Sequence, residues 1–391
     1  MKAIRPLTCA PLFMILALSP TLASAQSNDQ MYRSWRWSAD VGPARAGGLA
    51  GAFVAVADDS SATVFNPAGL VQVQKTELVG GLISRRSGRA AAAAHDALRP
   101  VTGVGFAGGA GALSSRWRVG GYIVQPQDRR ANMAALQLPD GTLVSGFLDT
   151  QVTEVGGAVA WALTPRLSLG ARVTATHLKL EGEEVSAGPV DAEVGSAAGE
   201  TRVTGSFGAL LTVGRGLRIG LTGQPGAAYR VSRTANRAGQ PQDVGSEYEL
   251  RQPGLLAVGL AYEISPRVLI VAQVDYLRSS EIPRELVVRT GPSVSSDYTL
   301  GDALEPRVGV EASFPRRTFS LQLRGGVHSQ APGFLAYRGA SSVDAFTFRG
   351  GSRRLVPAFG GSVVTRALRM DIAARLGGEQ GTVIATAGFR F

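Results

Sequence analysis

Cysteine is almost missing from this 391-residue chain: the single copy, Cys9, lies in its opening segment. That segment carries Lys2 and Arg5, an apolar centre from Leu12 to Leu18, and the small-residue stretch Ala23-Ser24-Ala25. These are the parts of an export signal, so residues 1–25 are read as a leader cleaved near Ala25, with Gln26 starting the mature chain. No lipobox surrounds Cys9, which argues against a lipoprotein, and its removal excludes disulfides and thiolate metal sites downstream. Long apolar runs are lacking as well. A spanning helix needs roughly 18–20 apolar residues, whereas the greasiest stretches here, such as Leu255 to Tyr262, are strand-length. Histidine is scarce: His95, His177 and His328 are the three copies, with His95 and His328 placed in or near outer loops and His177 at a strand end. No Ser-His-acid grouping and no metal-ligand spacing accompanies them, so the chain is read as not an enzyme, with no catalytic residue, metal or cofactor. Acidic residues are outnumbered, 30 against 40 Lys and Arg, giving a net charge of +10. In an exported chain that excess fits anionic lipid headgroups and lipopolysaccharide phosphates better than nucleic acid, with solvated loop ends as the plain alternative.

Glycine, by contrast, is abundant (50 residues), and after about residue 75 the chain becomes a series of alternating segments. Strands are predicted near 76–86, 101–112, 116–126, 150–163, 167–180, 200–214, 217–230, 247–263, 267–279, 303–315, 318–329, 354–365, 367–376 and 381–391, fourteen in all. In several of them the periodicity is strict: Leu167, Leu169, Ala171 and Val173 oppose Ser168, Gly170, Arg172 and Thr174, and Val308, Val310, Ala312 and Phe314 oppose Arg307, Gly309, Glu311 and Ser313. Alternation alone would also suit a soluble two-layer sandwich. Three features favour a barrel in lipid. Every second connection is short (113–115, 164–166, 214–216, 265–267, 315–317, 366) and those between are mostly long. Aromatic residues Trp117, Trp161, Tyr262 and Tyr276 sit near strand ends. The last strand ends on Phe389 and Phe391, on its greasy parity, as an assembly signal for barrel-assembly machinery would. The expected fold is therefore all-β transmembrane: a fourteen-stranded antiparallel outer-membrane β-barrel over residues 76–391, monomeric, in a Gram-negative-type outer membrane.

Residues 26–75 lack this alternation. Apolar Phe53, Val54 and Val56 end at Asp58-Asp59, whose carboxylates can cap a short helix at 60–65. Asn66-Pro67 stops that turn and Gly69 lets the chain reverse. Ala44-Arg45-Ala46-Gly47-Gly48, the run from Gly51 to Ala62 (Gly-Ala-Phe-Val-Ala-Val-Ala-Asp-Asp-Ser-Ser-Ala) and Asn66-Pro67-Ala68-Gly69-Leu70 closely resemble the amino-terminal hatch of the FadL-like outer-membrane transporters. The resemblance continues through Val119 to Pro126, similar to the family's third strand, and more faintly at Arg324 to Val327. It implies that residues 26–75 form a hatch, or plug, in the lumen, with Gly51, Phe53, Asp58, Asp59, Asn66, Pro67, Ala68 and Gly69 as its motif. It also implies passive uptake of hydrophobic small molecules, long-chain fatty acids or hydrocarbons. The substrate would enter from the outer loops and leave sideways where an inward kink of the third strand opens the wall to lipid. Related hatch-bearing barrels that serve protein secretion or surface attachment supply the alternative.

The residues speak to parts of this directly. Trp117 and Val119 set one phase of the third strand while Tyr122 and Val124 carry the apolar residues on the other, so a phase break at Gly120-Gly121 would put a lateral gate at Gly120, Gly121 and Pro126; a poorly alternating glycine-rich strand is the other reading. On strand two, Gly103, Gly105, Gly109 and Gly111 share a parity against which the hatch is expected to pack. By parity, Arg172, Arg218, Glu311, Arg324, Asp371 and Arg375 point inward. Arg172 and Arg324 are candidates to hold a substrate carboxylate; salt bridges to lumen acids or to Asp58 and Asp59 are the competing role. The loop at 181–199 is short and lacks a helical stripe, unlike the capture groove of the fatty acid channels.

Overall fold

The computed structural model describes residues 42–391 apart from 88–95, 99, 189–191, 215, 238–242, 286–294, 334, 343–344, 346–347, 349 and 378–379. The export leader and residues 26–41 thus lie outside the described residues, as does His95. Among these residues the chain forms one closed antiparallel wall of fourteen staves. In chain order they are β1 Glu77–Ser87, β2 Val101–Ala112, β3 Trp117–Gln137, β4 Leu143–Ala162, β5 Leu167–Ala187, β6 Ala192–Val213, β7 Leu217–Gln224 continued by Ala227–Arg237, and β8 Asp243–Gln252 continued by Leu255–Ser265. The circuit then runs through β9 Val268–Leu277, β10 Ala303–Pro315, β11 Ser320–Gln330, β12 Arg354–Val364, β13 Leu368–Arg375 and β14 Gln380–Arg390. It closes where β14 pairs with β1, from Glu77↔Arg390 to Ser87↔Gln380. Closure leaves no strand edge to satisfy, the condition for strands in hydrocarbon. No helix among the described residues is long and apolar enough to cross a membrane.

The two faces follow the sequence parity. On β10, Val308 and Val310 are 55% and 43% exposed on the outside, while Arg307 and Glu311 on either side of them are buried within. The outward apolar band is the surface lipid covers. Trp117 and Trp161, paired across β3 and β4, stack outside it with ring centroids 5.7 Å apart. The staves β3 to β6 run to 20–22 residues, and their upper parts form continuous hairpins where long loops were expected at 127–149 and 181–199. Beyond the lipid band the outer face turns polar at Lys179 and Glu181, and after Leu180 the inner face loses its apolar residues too (Gly182, Glu184, Ser186), so the alternation that marks a strand fades although the ladder continues.

The lumen is filled by the chain's own segment 42–76. It contains α1 Ala44–Gly48, α2 Ala62–Phe65 and a 3₁₀ turn over Pro67–Gln72. Asn66 adopts an extended conformation (φ −157°, ψ 102°) before Pro67, which ends α2, and its side chain then accepts from the Ala68 N–H to start the next turn. Ala46, Leu49, Phe53, Val56 and Phe65 pack against wall residues Ala261, Leu269 and Val271. Gly69 has a different task from the expected chain reversal: a Cβ there would fall on the Ala57 backbone, so glycine permits close packing.

Candidate functional site

Two bulges on neighbouring staves shape the site. Between the pairs Val124↔Glu154 and Gln127↔Val152, β3 carries one extra residue, at Gln125-Pro126. Pro126 has no N–H to give to a ladder. Between Gly81↔Phe106 and Leu82↔Val104, β2 carries an extra residue, Gly105. The β2–β3 ladder therefore stops at Ala107↔Ile123. Above it β3 next pairs with a short strand, Asp96–Leu98, from Ala131. Residues 101–106 and 124–130 face one another across the intervening stretch, where side chains take the place of the ladder. Gln125 Oε1 accepts from the Val104 N–H at 2.8 Å, and Arg85 of β1 donates to the carbonyls of Gln125 (2.5 Å) and Pro126 (3.4 Å).

Behind this gap lies a cavity of ≈ 760 Å³, its open mouth included, floored by Val54, Val64 and Phe65 of the inner segment. Val124, Pro126 and Glu154 line it on one side, and Thr222, Gln224, Gln252, Pro253, Leu255, Ala257, Gln273 and Leu277 on the other, with Arg172 in its wall. Above it an apolar cluster of Leu148, Val152, Leu178, Leu180, Tyr229, Val231, Leu250 and Ile282 faces inward, where a water-filled pore would be polar.

The inner segment is bolted to the wall by charge. Arg45 bonds Glu311 of β10 through Nε (3.0 Å) and a terminal nitrogen (3.1 Å), and also pairs with Asp58 and with Asp59 at 3.3 Å. Arg324 of β11 shares Glu311 at 2.5 Å and reaches Asp371 at 3.1 Å, and Arg369 completes the lattice at 2.8 Å from Asp371. Gln273 Oε1 accepts from the N–H groups of Phe53 and Val54 at 2.9 and 3.0 Å, and Arg307 donates to the Ala50 carbonyl at 2.9 Å. Asn66 donates to the carbonyls of Val54 and of wall residue Ala209, and Ser168 to that of Ala68.

The predicted site residues separate accordingly. Gly51, Phe53, Asp58, Asp59, Asn66, Pro67, Ala68 and Gly69 all lie in the inner segment, with Asp58 the most open of them. Arg324 stands in the ion lattice, away from the cavity. Arg172 does line the cavity, but its donors are engaged: Nε with Ser206 (2.8 Å), one terminal nitrogen with the carbonyls of Thr63 and Val64, the other with Gln224 (2.6 Å). Phe389 and Phe391 are exposed on the outer face.

Two expectations are corrected by the backbone. The phase break does not fall at Gly120-Gly121, which pair in unbroken register with Ala158 and Gly157; Tyr122 and Val124 are apolar on the inner parity because they pack on Phe106 inside the barrel. The break falls at Gln125-Pro126. Gly120 instead gives room to the inner segment, since a Cβ there would press on Thr63. Of the β2 glycines, Gly103, Gly105 and Gly109 face other wall residues and Gly111 meets only Thr76 at the segment's end: the Gly105 bulge flips their parity, and Ala110 supplies the packing face. The close approach occurs on other staves, where Gly170 meets Pro67-Ala68 and Gly220 meets Val54. His328 lies near the end of β11, within the strand predicted at 318–329, fully buried and bonded through Nε2 to Glu305 at 2.8 Å. Sequence reading missed Arg85 and Gln125, which no periodicity marks. It also missed the interruptions of β7 and β8 at Pro225-Gly226 and Pro253-Gly254, which those dipeptides do signal.

Taken together, the fourteen-stave wall, the filled lumen and the bulged third stave give the fold of the FadL-like outer-membrane channels. Among solved structures it is shared with the Ralstonia pickettii toluene transporter TbuX (14% identity, TM-score 0.65, covering 90% of this chain and 99% of that one) and a Pseudomonas aeruginosa FadL homologue (11%, 0.66, 90% and 98%). The monoaromatic hydrocarbon channel CymD is a third (12%, 0.57, 90% and 97%). No family model matches the chain, and no curated protein matches it.

Proposed function

We propose that this chain is a passive outer-membrane channel for hydrophobic small molecules, fatty acid-like or hydrocarbon, with a fixed hatch over residues 26–75 and a lateral exit between β2 and β3. The observation that carries the reading is the missing ladder between residues 101–106 and 124–130, with an open-mouthed cavity lined by Val124 and Pro126 directly behind it. An unpaired backbone group costs several kcal/mol in hydrocarbon, so a wall has no reason to open there unless something passes; Gln125 and Arg85 lower that cost without zipping the strands. Pro126 is the residue assigned to the gate. The hatch blocks the straight route to the periplasm, so a greasy molecule that reaches the cavity leaves through the wall into lipid. The Arg172 guanidinium, its donors engaged by Ser206, Thr63, Val64 and Gln224, braces the cavity wall rather than receiving a carboxylate, which favours apolar cargo.

Deleting Pro126 removes the residue that is extra against β4, so that β3 runs on in unbroken register with β4 and loses its bulge at the gap. Uptake of a hydrocarbon probe is then expected to fall to background, while the barrel keeps its folded, heat-modifiable mobility on gels. Undiminished uptake by a folded deletion variant would sink the exit. Loss of a co-purifying secreted protein instead of loss of uptake would point to a role in secretion.

A further inference from the structure

The wall is unzipped at a second place. Stave β6 pairs with the first piece of β7 from Phe207↔Gly223 to Val213↔Leu217, and with its second piece from Ala192↔Arg237 to Ala197↔Ser232. Between these blocks no β6–β7 ladder joins residues 198–206 to residues 224–231. The cause is in the sequence: Pro225-Gly226 breaks β7, and a proline cannot donate to a ladder. Side chains again stand in for the ladder. Arg202 Nε donates to the Ala228 carbonyl at 2.7 Å, Glu200 accepts from the Arg230 N–H at 2.6 Å, and the two side chains are paired to each other at 2.6 Å.

This seam borders the same cavity as the first. Gln224 at its foot is a lining residue, and Arg172 ties Gln224 to Ser206 across the two staves. The apolar cluster above the cavity reaches it through Tyr229 and Val231 of β7, with Ala198 of β6 packed against them. Outside, β6 presents Phe207 and Val203, 54% and 69% exposed, below Thr201, and Arg230 of β7 is exposed at the same level. The seam therefore sits where the greasy outer band gives way to polar residues, with the apolar cluster of Tyr229 and Val231 on its inner side. The staves β3 to β6, zipped to one another over most of their length, form a panel with one unladdered stretch on each flank.

We propose that the β6–β7 seam is a second lateral port, through which an apolar molecule already dissolved in the outer leaflet enters the cavity, with Arg202 and Glu200 as its latch. The inference rests on the transport reading above but not on the position of the exit. A polar strap of two side chains can open at far lower cost than a ladder of comparable length, because each arm exchanges its partner for headgroups or water at the rim.

The chain has no cysteine after Cys9, so engineered pairs report cleanly. The test compares two double variants in lipid vesicles: Thr201→Cys with Ala228→Cys to lock the second seam, and Val104→Cys with Gln125→Cys to lock the first. Each is measured oxidised and again after reduction, so that the same folded protein serves as its own control. The probe is a pyrene-labelled alkane, either loaded in the outer leaflet or presented from water. Locking β6–β7 is expected to slow capture of the leaflet-loaded probe at least fivefold, with recovery on reduction, and to leave capture from water unchanged. An equal rate for the leaflet-loaded probe in the oxidised and reduced states would overturn the second port. If the β2–β3 lock alone changes nothing while the β6–β7 lock acts, the proposed exit fails and the port stands. If neither lock acts, both fail.

Discussion

Replacing Glu311 by Ala should free the inner segment from the wall. Glu311 is the shared acceptor of two guanidinium groups, Arg45 from the inner segment and Arg324 from β11, and all three side chains are at most 7% exposed. Removing one partner of a buried ion pair costs about 3–5 kcal/mol, most of it the penalty of leaving the other charge uncompensated. Arg45 retains Asp58 and Asp59, and Arg324 retains Asp371, so the lower end applies, about 3 kcal/mol. At about 1.4 kcal/mol per factor of ten, local opening of the segment rises roughly a hundredfold. The amides to watch are Gly47, Ala50 and Gly51, whose partners are the carbonyls of Pro43, Gly47 and Ala46. Hydrogen exchange by mass spectrometry on the detergent-folded barrel should show them exchanging about a hundred times faster, with the β9–β10 ladder unchanged. Glu311→Gln keeps the shape and should lie between. Arg45→Met combined with Glu311→Met should not recover the protection, because it leaves Asp58 and Asp59 without Arg45 and Arg324 without Glu311. Wild-type exchange in Glu311→Ala, with the barrel folded, would refute the claim that charge anchors the segment.

Gly170→Val should place its side chain on the Pro67-Ala68 backbone and push the 3₁₀ turn off the wall; the expected sign is protease cleavage within 60–75 of an otherwise folded barrel, and resistance equal to wild type would contradict it. Trp117→Ala with Trp161→Ala should lose about 1 kcal/mol of stacking in addition to the interfacial burial, read as a lowered urea midpoint for unfolding from lipid vesicles; a midpoint within error would remove the stacked pair as an interface anchor. Asp302, beyond the membrane band, accepts from the Tyr276 hydroxyl at 2.6 Å and the Ser280 N–H at 3.0 Å, and these bonds hold its carboxyl below the ordinary Asp range. A depressed folded value means that its contribution is complete above the unfolded value and is lost as pH falls through the folded one. The 3₁₀ turn Ser279–Glu285 should thus stay docked at neutral pH and loosen only in strong acid, with Asp302→Asn loosening it at every pH; equal exchange of wild type and Asp302→Asn at pH 7 would count against that tie.

The wall was legible because half of each stave meets lipid. Val308, Val310 and Phe314 alternate with Arg307, Glu311 and Ser313, and in a barrel wall that alternation keeps those charges in the lumen, away from hydrocarbon. The same logic explains where reading failed. Strand ends above the lipid band have no greasy face, so Glu181 to Ala187 looked like a loop although it pairs with β4 and β6 throughout. Tyr122 and Val124 imitated a phase break because the lumen here is packed with apolar chain, a case in which inward residues are greasy too. The glycine argument named a sound cause on the wrong stave: nothing in β2 alone reveals that Gly105 is an extra residue, since a bulge exists only relative to the partner strand. Arg324 pointed inward as expected, but whether an inward Arg meets a ligand or a carboxylate depends on where residues 42–76 settle, which parity does not encode.

The most direct test of the account is to map where a hydrophobic compound touches the protein on its way through. A diazirine-bearing alkylbenzene, photolysed in vesicles containing the folded barrel and read by peptide mass spectrometry, should label Val124 to Arg130 of β3 and the facing residues 101–106 of β2, along with cavity residues such as Leu255. Label confined to the lipid-facing parity around the whole barrel, with none on the cavity lining, would contradict passage through the wall.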